Sequence, residues 1–115
     1  MIKRENKPWG YEDILILNDK YCIKDIVILP GHRLSLQFHN KKHETIFVTD
    51  GTLDLQIGQE YHVLSERSMF DIPPKTTHRF INNSNYCITL REVSSPELDD
   101  VVRLDDDYGR DKTNS

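Results

Sequence analysis

With 115 residues, 37% hydrophobic and 30% charged, the chain has material for one core but not two. It reads as globular rather than disordered. A net charge of −4 argues against a broad nucleic-acid-binding face, which needs an excess of Lys and Arg. No apolar run approaches the roughly 18 residues of a membrane span, and the opening MIKRENKPWG has no apolar signal stretch. The expected setting is therefore the cytoplasm, with neither membrane nor nucleic acid as partner.

Taken in order, the chain reads as short strands rich in β-branched, aromatic or alternating apolar residues. After KPWG, whose Trp9 is read as a packing anchor, come EDILIL (12–17), KYCIKDIVIL (20–29), RLSLQFH (33–39), ETIFVT (44–49) and TLDLQI (52–57). EYHVL (60–64), SMFDI (68–72), THRFI (77–81) and YCITLREV (86–93) follow. Turn signals separate them: Pro30-Gly31, Asn40-Lys41-Lys42, Gly58-Gln59, Pro73-Pro74, and Asp50-Gly51, the last expected to close a hairpin. Cys22 and Cys87 both sit in apolar alternating stretches and are expected to be reduced core thiols. The acidic tail from Pro96 has room for one short helix or strand. No helical repeat precedes residue 96, so the fold class is all-β, a sandwich or barrel.

The chemistry is concentrated in QFHNKKHE, residues 37–44. Alternation puts Ser35, Gln37 and His39 on one face of their strand and Leu34, Leu36 and Phe38 on the other. Glu44 shares a face with Ile46 and Val48, an awkward place for an unpaired carboxylate. Two readings stay open on spacing alone: a solvated polar hairpin, or convergence of Gln37, His39 and Glu44 on a cation. His78, on a later strand in phase with Phe80, supplies a fourth donor. An amide oxygen, two imidazoles and a carboxylate suit Zn²⁺, Mn²⁺, Fe²⁺, Ni²⁺ or Co²⁺ and leave coordination positions for substrate. If Gln37 and His39 point inward, the leucine face needs cover from another sheet or a twofold partner, so a homodimer is expected. His32 and His62, beside turns, are read as ordinary surface residues.

The run from Pro30-Gly31 through Gln37, His39 and Glu44 to Gly51 resembles the first motif of the cupins, and the run from Pro73 through His78 to Asn82 resembles the second. Lys75 and Arg67 stand where that pattern has glycine. KPWG, PGHRLSLQFH, HRFIN and the terminal DDYGR are together similar to the phosphomannose isomerase domain of type II mannose-6-phosphate isomerases, over nearly all of residues 7–110. This resemblance implies a single cupin domain over 1–115, a double-stranded β-helix or jelly-roll barrel at about 11–95. KPWG and the DDYGR tail would pack on that barrel. Asn40, Lys41, Lys42 and His43 depart from the family, which carries a histidine-rich turn with an arginine before the glutamate.

What the resemblance implies about activity is metal-dependent aldose–ketose isomerisation of a sugar phosphate, mannose 6-phosphate to fructose 6-phosphate, in nucleotide-sugar or polysaccharide precursor synthesis. One divalent ion, zinc first among the candidates, would sit on Gln37, His39, Glu44 and His78. Lys42 and His43 are the candidate proton shuttles, and Arg79, Arg103 and Arg110 the candidate phosphate binders. A solvated Arg79, or an Arg103 paired with the acidic tail, are the plainer readings of those residues. Tyr108 is expected to dock the tail. Two other functions fit the same barrel: a different sugar-phosphate or nucleotide-sugar isomerase or epimerase, and a non-catalytic metal- or sugar-binding cupin.

Overall fold

Period-two alternation over most of the chain leaves extended strands as the economical solution. The computed structural model, which describes residues 2–112, contains eleven of them and one 3-10 turn at Arg110–Lys112. Strands β1 (Lys3–Lys7), β2 (Gly10–Leu17), β3 (Cys22–Ile28), β10 (Ile88–Ser94), β5 (Glu44–Asp50) and β8 (Met69–Ile72) form a six-stranded sheet in that spatial order. Strands β11 (Val102–Asp105), β4 (Leu36–Phe38), β9 (His78–Ile81), β6 (Leu53–Ile57) and β7 (Glu60–Leu64) form a five-stranded one. All pairings are antiparallel.

The nine strands read from the sequence are all present, most with ends shifted by one to three residues in either direction. The tail supplies β11, which closes one edge of the smaller sheet beside β4. KRENK, polar throughout, is an unforeseen edge strand paired only with β2. Asp50-Gly51 does not close a hairpin. It carries the chain out of the larger sheet, where β5 lies between β10 and β8, into the smaller one, where β6 lies between β9 and β7. Gly51 has φ of 90°, and a Cβ there would meet the Ile88 side chain at 2.5 Å.

The inward faces of the two sheets form one apolar core: Ile26, Ile28, Ile46, Val48, Leu53, Leu55, Phe80, Ile88 and Leu90 are all buried in it. Burying each such side chain is worth roughly 1.5–3 kcal/mol. Trp9, 2% exposed, joins this core as expected. Gly10 after it is indispensable, because a Cβ there would lie 1.9 Å from the Val27 carbonyl oxygen.

Two burial expectations are corrected. Cys22 is buried, but Cys87 lies exposed just before β10, outside the alternating run it was assigned to. Leu34 does not lie on an outer face with Leu36 and Phe38. The ladder breaks between the Arg33–Ile81 bridge and β4, so Leu34 turns into the core while Leu36 and Phe38 stay half-buried on the outside.

Candidate metal centre

One end of the interior is not apolar. There the inward positions of the same strands carry Lys24 on β3, Glu44 on β5, His78 on β9 and Glu92 on β10, with His39 and Lys42 in the turn after β4, all buried. Register brings them together. Gln37 pairs directly with His78 across β4 and β9, and Glu44 opens β5 opposite Ser94. Donor atoms of His39, Glu44 and His78 all lie within 4.8 Å of one another. His78 Nε2 is 3.1 Å from Glu44 Oε1, and His39 Nε2 is 3.9 Å from Glu44 Oε2.

Both rings are oriented by backbone. His39 Nδ1–H donates to the Asp100 carbonyl and His78 Nδ1–H to the Thr76 carbonyl, the latter at 2.8 Å. Each Nε2 lone pair is thereby left facing the cluster, as metal-ligating histidines require. Burial, followed by the neighbouring Lys42 and His78, pushes the His39 pKa down despite the pull of Glu44, which favours the neutral, ligating form.

Both Glu44 oxygens and His78 Nε2 are buried without a hydrogen bond. Buried polar atoms normally find partners, and a divalent cation would satisfy all three. The donor set is nitrogen and oxygen without thiolate, the composition of an open catalytic site rather than a closed structural zinc. Gln37 lies alongside, with its amide oxygen accepting from Ser35 Oγ at 2.6 Å and its nitrogen 3.4 Å from His39 Nε2. For Gln37 to ligate, the amide must turn over, presenting oxygen to the cluster and NH₂ to the Ser35 hydroxyl, which accepts as readily as it donates.

A row of buried charges runs back from the cluster. Lys42 Nζ is 3.1 Å from Glu44 Oε2 and 3.1 Å from Glu92 Oε2; Lys24 Nζ is 3.6 Å from Glu92 Oε2 and 3.3 Å from Glu12. Burial opposes the charge on Lys42, but its two carboxylate neighbours outweigh that and hold its pKa well above the ordinary lysine range. Against its burial, His78 and Lys42 hold the Glu44 carboxyl well below the ordinary range. Burial and the nearby Glu44 push Glu92 up, opposed by Lys42 and Lys24.

His39 and Glu44 of the cluster line a cavity of about 90 Å³, together with Gln37, Lys42, Arg103 and Arg110 among others. It adjoins an outer cleft of about 630 Å³, with which it shares Lys7, Glu12, Lys24, Leu98 and Arg103, a volume within the range of small-molecule sites.

The structure separates the candidate residues. Arg103, paired with Gln37 in register, turns into the cavity, and its Nε is buried without a hydrogen-bond partner. Arg110 lines the same wall while gripping Asp106 through Nε and Nη2, at 2.8 and 2.9 Å. Tyr108 packs against the core and docks the tail. Arg79 is neither solvated nor in the cavity. It is 4% exposed on the outer face, donating to the Leu34 and Asp105 carbonyls and tying β9 to β11. His43 turns away from the cavity, with Nε2 at 2.9 Å from Asp71, an exposed pair on the outside of the larger sheet. His62 is half-buried, its ring tilted against Phe70 with centroids 5.3 Å apart, rather than lying free on the surface.

Three participants went unread in the sequence. Asp100 organises the turn after His39, its carboxylate accepting from the backbone N–H of Asn40, Lys41 and Lys42. Nothing in an acidic tail marks it. Lys24 and Glu92 carried a readable signal: each falls in phase with apolar neighbours, Ile26 and Leu90, just as Glu44 does with Ile46.

Comparison with known proteins agrees with this fold. The family model described as mannose-6-phosphate isomerase C-terminal matches residues 2–106. The xanthan biosynthesis protein XanB of Xanthomonas campestris pv. campestris is 36% identical over 107 residues, 90% of this chain and 23% of that protein. The mannose-1-phosphate guanylyltransferase ManC of Salmonella typhimurium is 37% identical over 90% of this chain and 22% of its own length. The chain thus spans less than a quarter of either relative. A sugar phosphate isomerase of the cupin superfamily from Silicibacter pomeroyi superposes with a TM-score of 0.64 at 24% identity, over 73% of this chain and 59% of that one. The fold is that of the cupins, a double-stranded β-helix.

Proposed function

Because the chain belongs to the mannose-6-phosphate isomerase C-terminal family, we propose that it is a metal-dependent aldose–ketose isomerase of a sugar phosphate. Mannose 6-phosphate, converted to fructose 6-phosphate, is the first substrate to test. The observation that supports this most is the convergence of His39, Glu44 and His78, the first two of which line a cavity that Arg103 also lines. The setting would be cytoplasmic precursor synthesis for nucleotide sugars or polysaccharides, consistent with two free thiols.

His39, Glu44 and His78, with Gln37 after its amide turns, would hold one divalent ion, zinc first among the candidates. That ion, when bound, supplies Lewis-acid stabilisation of the charge an enediolate develops. The chain's own groups do the rest. Arg103 offers a cation and an unpaired donor to the phosphate, with Arg110 beside it. Lys42, kept charged by its raised pKa, is a poor base but offers a fixed cation beside a developing oxyanion. Trp9 and Leu34 close the apolar side of the cavity. We further propose a homodimer through the outer face of the smaller sheet, where Tyr61 and Val63 are 66% and 73% exposed. Sedimentation of the protein at micromolar concentration as a monomer would remove that part.

The decisive experiment is metal analysis of the purified protein, then turnover of mannose 6-phosphate with and without chelator. Turnover is expected to vanish with chelator and in His78→Ala. Arg103→Ala is expected to raise KM about 10- to 100-fold, the value of a charged hydrogen bond. Turnover indifferent to both chelator and His78→Ala sinks the mechanism. Stoichiometric metal without turnover on any sugar phosphate favours a binding protein.

A further inference from the structure

The Lys42 ammonium is claimed twice. It stands 3.1 Å from a ligating carboxylate, Glu44, and 3.1 Å from a non-ligating one, Glu92, and all three side chains are at most 5% exposed. Glu92 is supported in turn by Lys24 at 3.6 Å, and Lys24 by Glu12 at 3.3 Å, so that negative and positive charges alternate from the cleft to the cluster. A buried lysine with a single anionic partner would stay on that partner, since an unpaired buried charge costs several kcal/mol. If Glu44 were that partner, the lysine would compete with any cation for its oxygens and repel that cation besides.

We propose that Glu92 is the counter-ion that draws Lys42 off Glu44, freeing the carboxylate to ligate, and so sets how tightly the centre binds a divalent metal. The inference rests on the metal reading of the cluster, not on the isomerase reading. An ammonium has three donors, so Lys42 can face both carboxylates without metal and settle on Glu92 when Glu44 is engaged. Lys24 has a second carboxylate in Glu12 and does not need Glu92 to itself. Glu92 thereby acts as a positioning residue, through Lys42, without touching the ion.

The test is Zn²⁺ affinity, read by competition against a chromophoric chelator, for the wild type, Glu92→Gln, Lys42→Met and the double variant. Glu92→Gln is expected to weaken binding on the order of 10- to 100-fold, as loss of an outer partner of a metal ligand does. Lys42→Met is expected to tighten it, and the double variant to recover most of the loss. A Glu92→Gln affinity equal to wild type overturns the proposal, and so does a double variant as weak as Glu92→Gln, which would make Glu92 a structural support only. Should Glu92→Gln not fold, Lys42→Met decides alone: tighter binding supports the proposal, equal or weaker binding overturns it. A wild type that binds no Zn²⁺ refutes the metal reading itself, whereas binding insensitive to Glu92 removes only this inference.

Discussion

Asp100 shows how much one side chain outside the cluster contributes to it. Its carboxylate accepts three backbone N–H groups of the 40–42 turn, and its carbonyl orients the His39 ring. Those backbone bonds hold its pKa below the ordinary aspartate value. A carboxylate with a depressed folded pKa adds stability that is present above its unfolded value, about 3.9, and is lost as pH falls through the folded one. Asp100→Asn should therefore melt lower than wild type at neutral pH, with the gap closing below about pH 4; a gap independent of pH would contradict this assignment. The candidate ligands Glu44 and His78 were legible because a carboxylate or an imidazole in phase with apolar neighbours is anomalous on a strand. Arg79 misled for the converse reason: alternation placed it outside correctly, but burial there comes from β11, whose return to β4's edge no local pattern announces.

At the level of elements, the turns carry the informative departures. Arg67 and Lys75, standing where the resembled cupin pattern has glycine, have φ of 71° and 65°. The backbone has kept the left-handed conformation that glycine serves, and two side-chain-bearing residues endure it at about 1–2 kcal/mol each. Arg67 is exposed, and its backbone N–H donates to the Val48 carbonyl at 2.8 Å, which substitution leaves intact. Arg67→Gly should raise stability by up to about 1 kcal/mol, since relief of strain exceeds the added freedom of the unfolded chain. Thermal denaturation reads this directly, and a lower melting temperature would mean the arginine makes a contribution beyond its backbone. Turn chemistry also explains the misread Asp50-Gly51: it fixes a local reversal but not which strand lies alongside afterwards, a long-range property of the ladder. KRENK was invisible because an edge strand with both faces polar has no alternation to read, and it is held instead by pairs such as Arg4 with Asp13.

Across the whole molecule, the same two sheets enclose an aliphatic core at one end and a row of buried charges at the other. A fold stabilised only by burial would fill the second end with apolar residues, because buried ion pairs are seldom better than hydrophobic replacements. Retaining Lys24, Lys42, Glu44 and Glu92 there makes sense if a ligand recovers the cost. Metal should then stabilise the protein by mass action, about 2.7 kcal/mol at a free concentration one hundred times Kd. For a domain of this size that is a rise in Tm of roughly 10 °C. Removing metal with chelator should lower Tm correspondingly, and adding Zn²⁺ back should restore it. His78→Ala loses a ligand but leaves the aliphatic core untouched, so its melting temperature should respond little to either treatment. If wild type and His78→Ala shifted equally, the cation would be acting elsewhere on this acidic chain, and the polar end of the barrel would need another ligand to account for its charges.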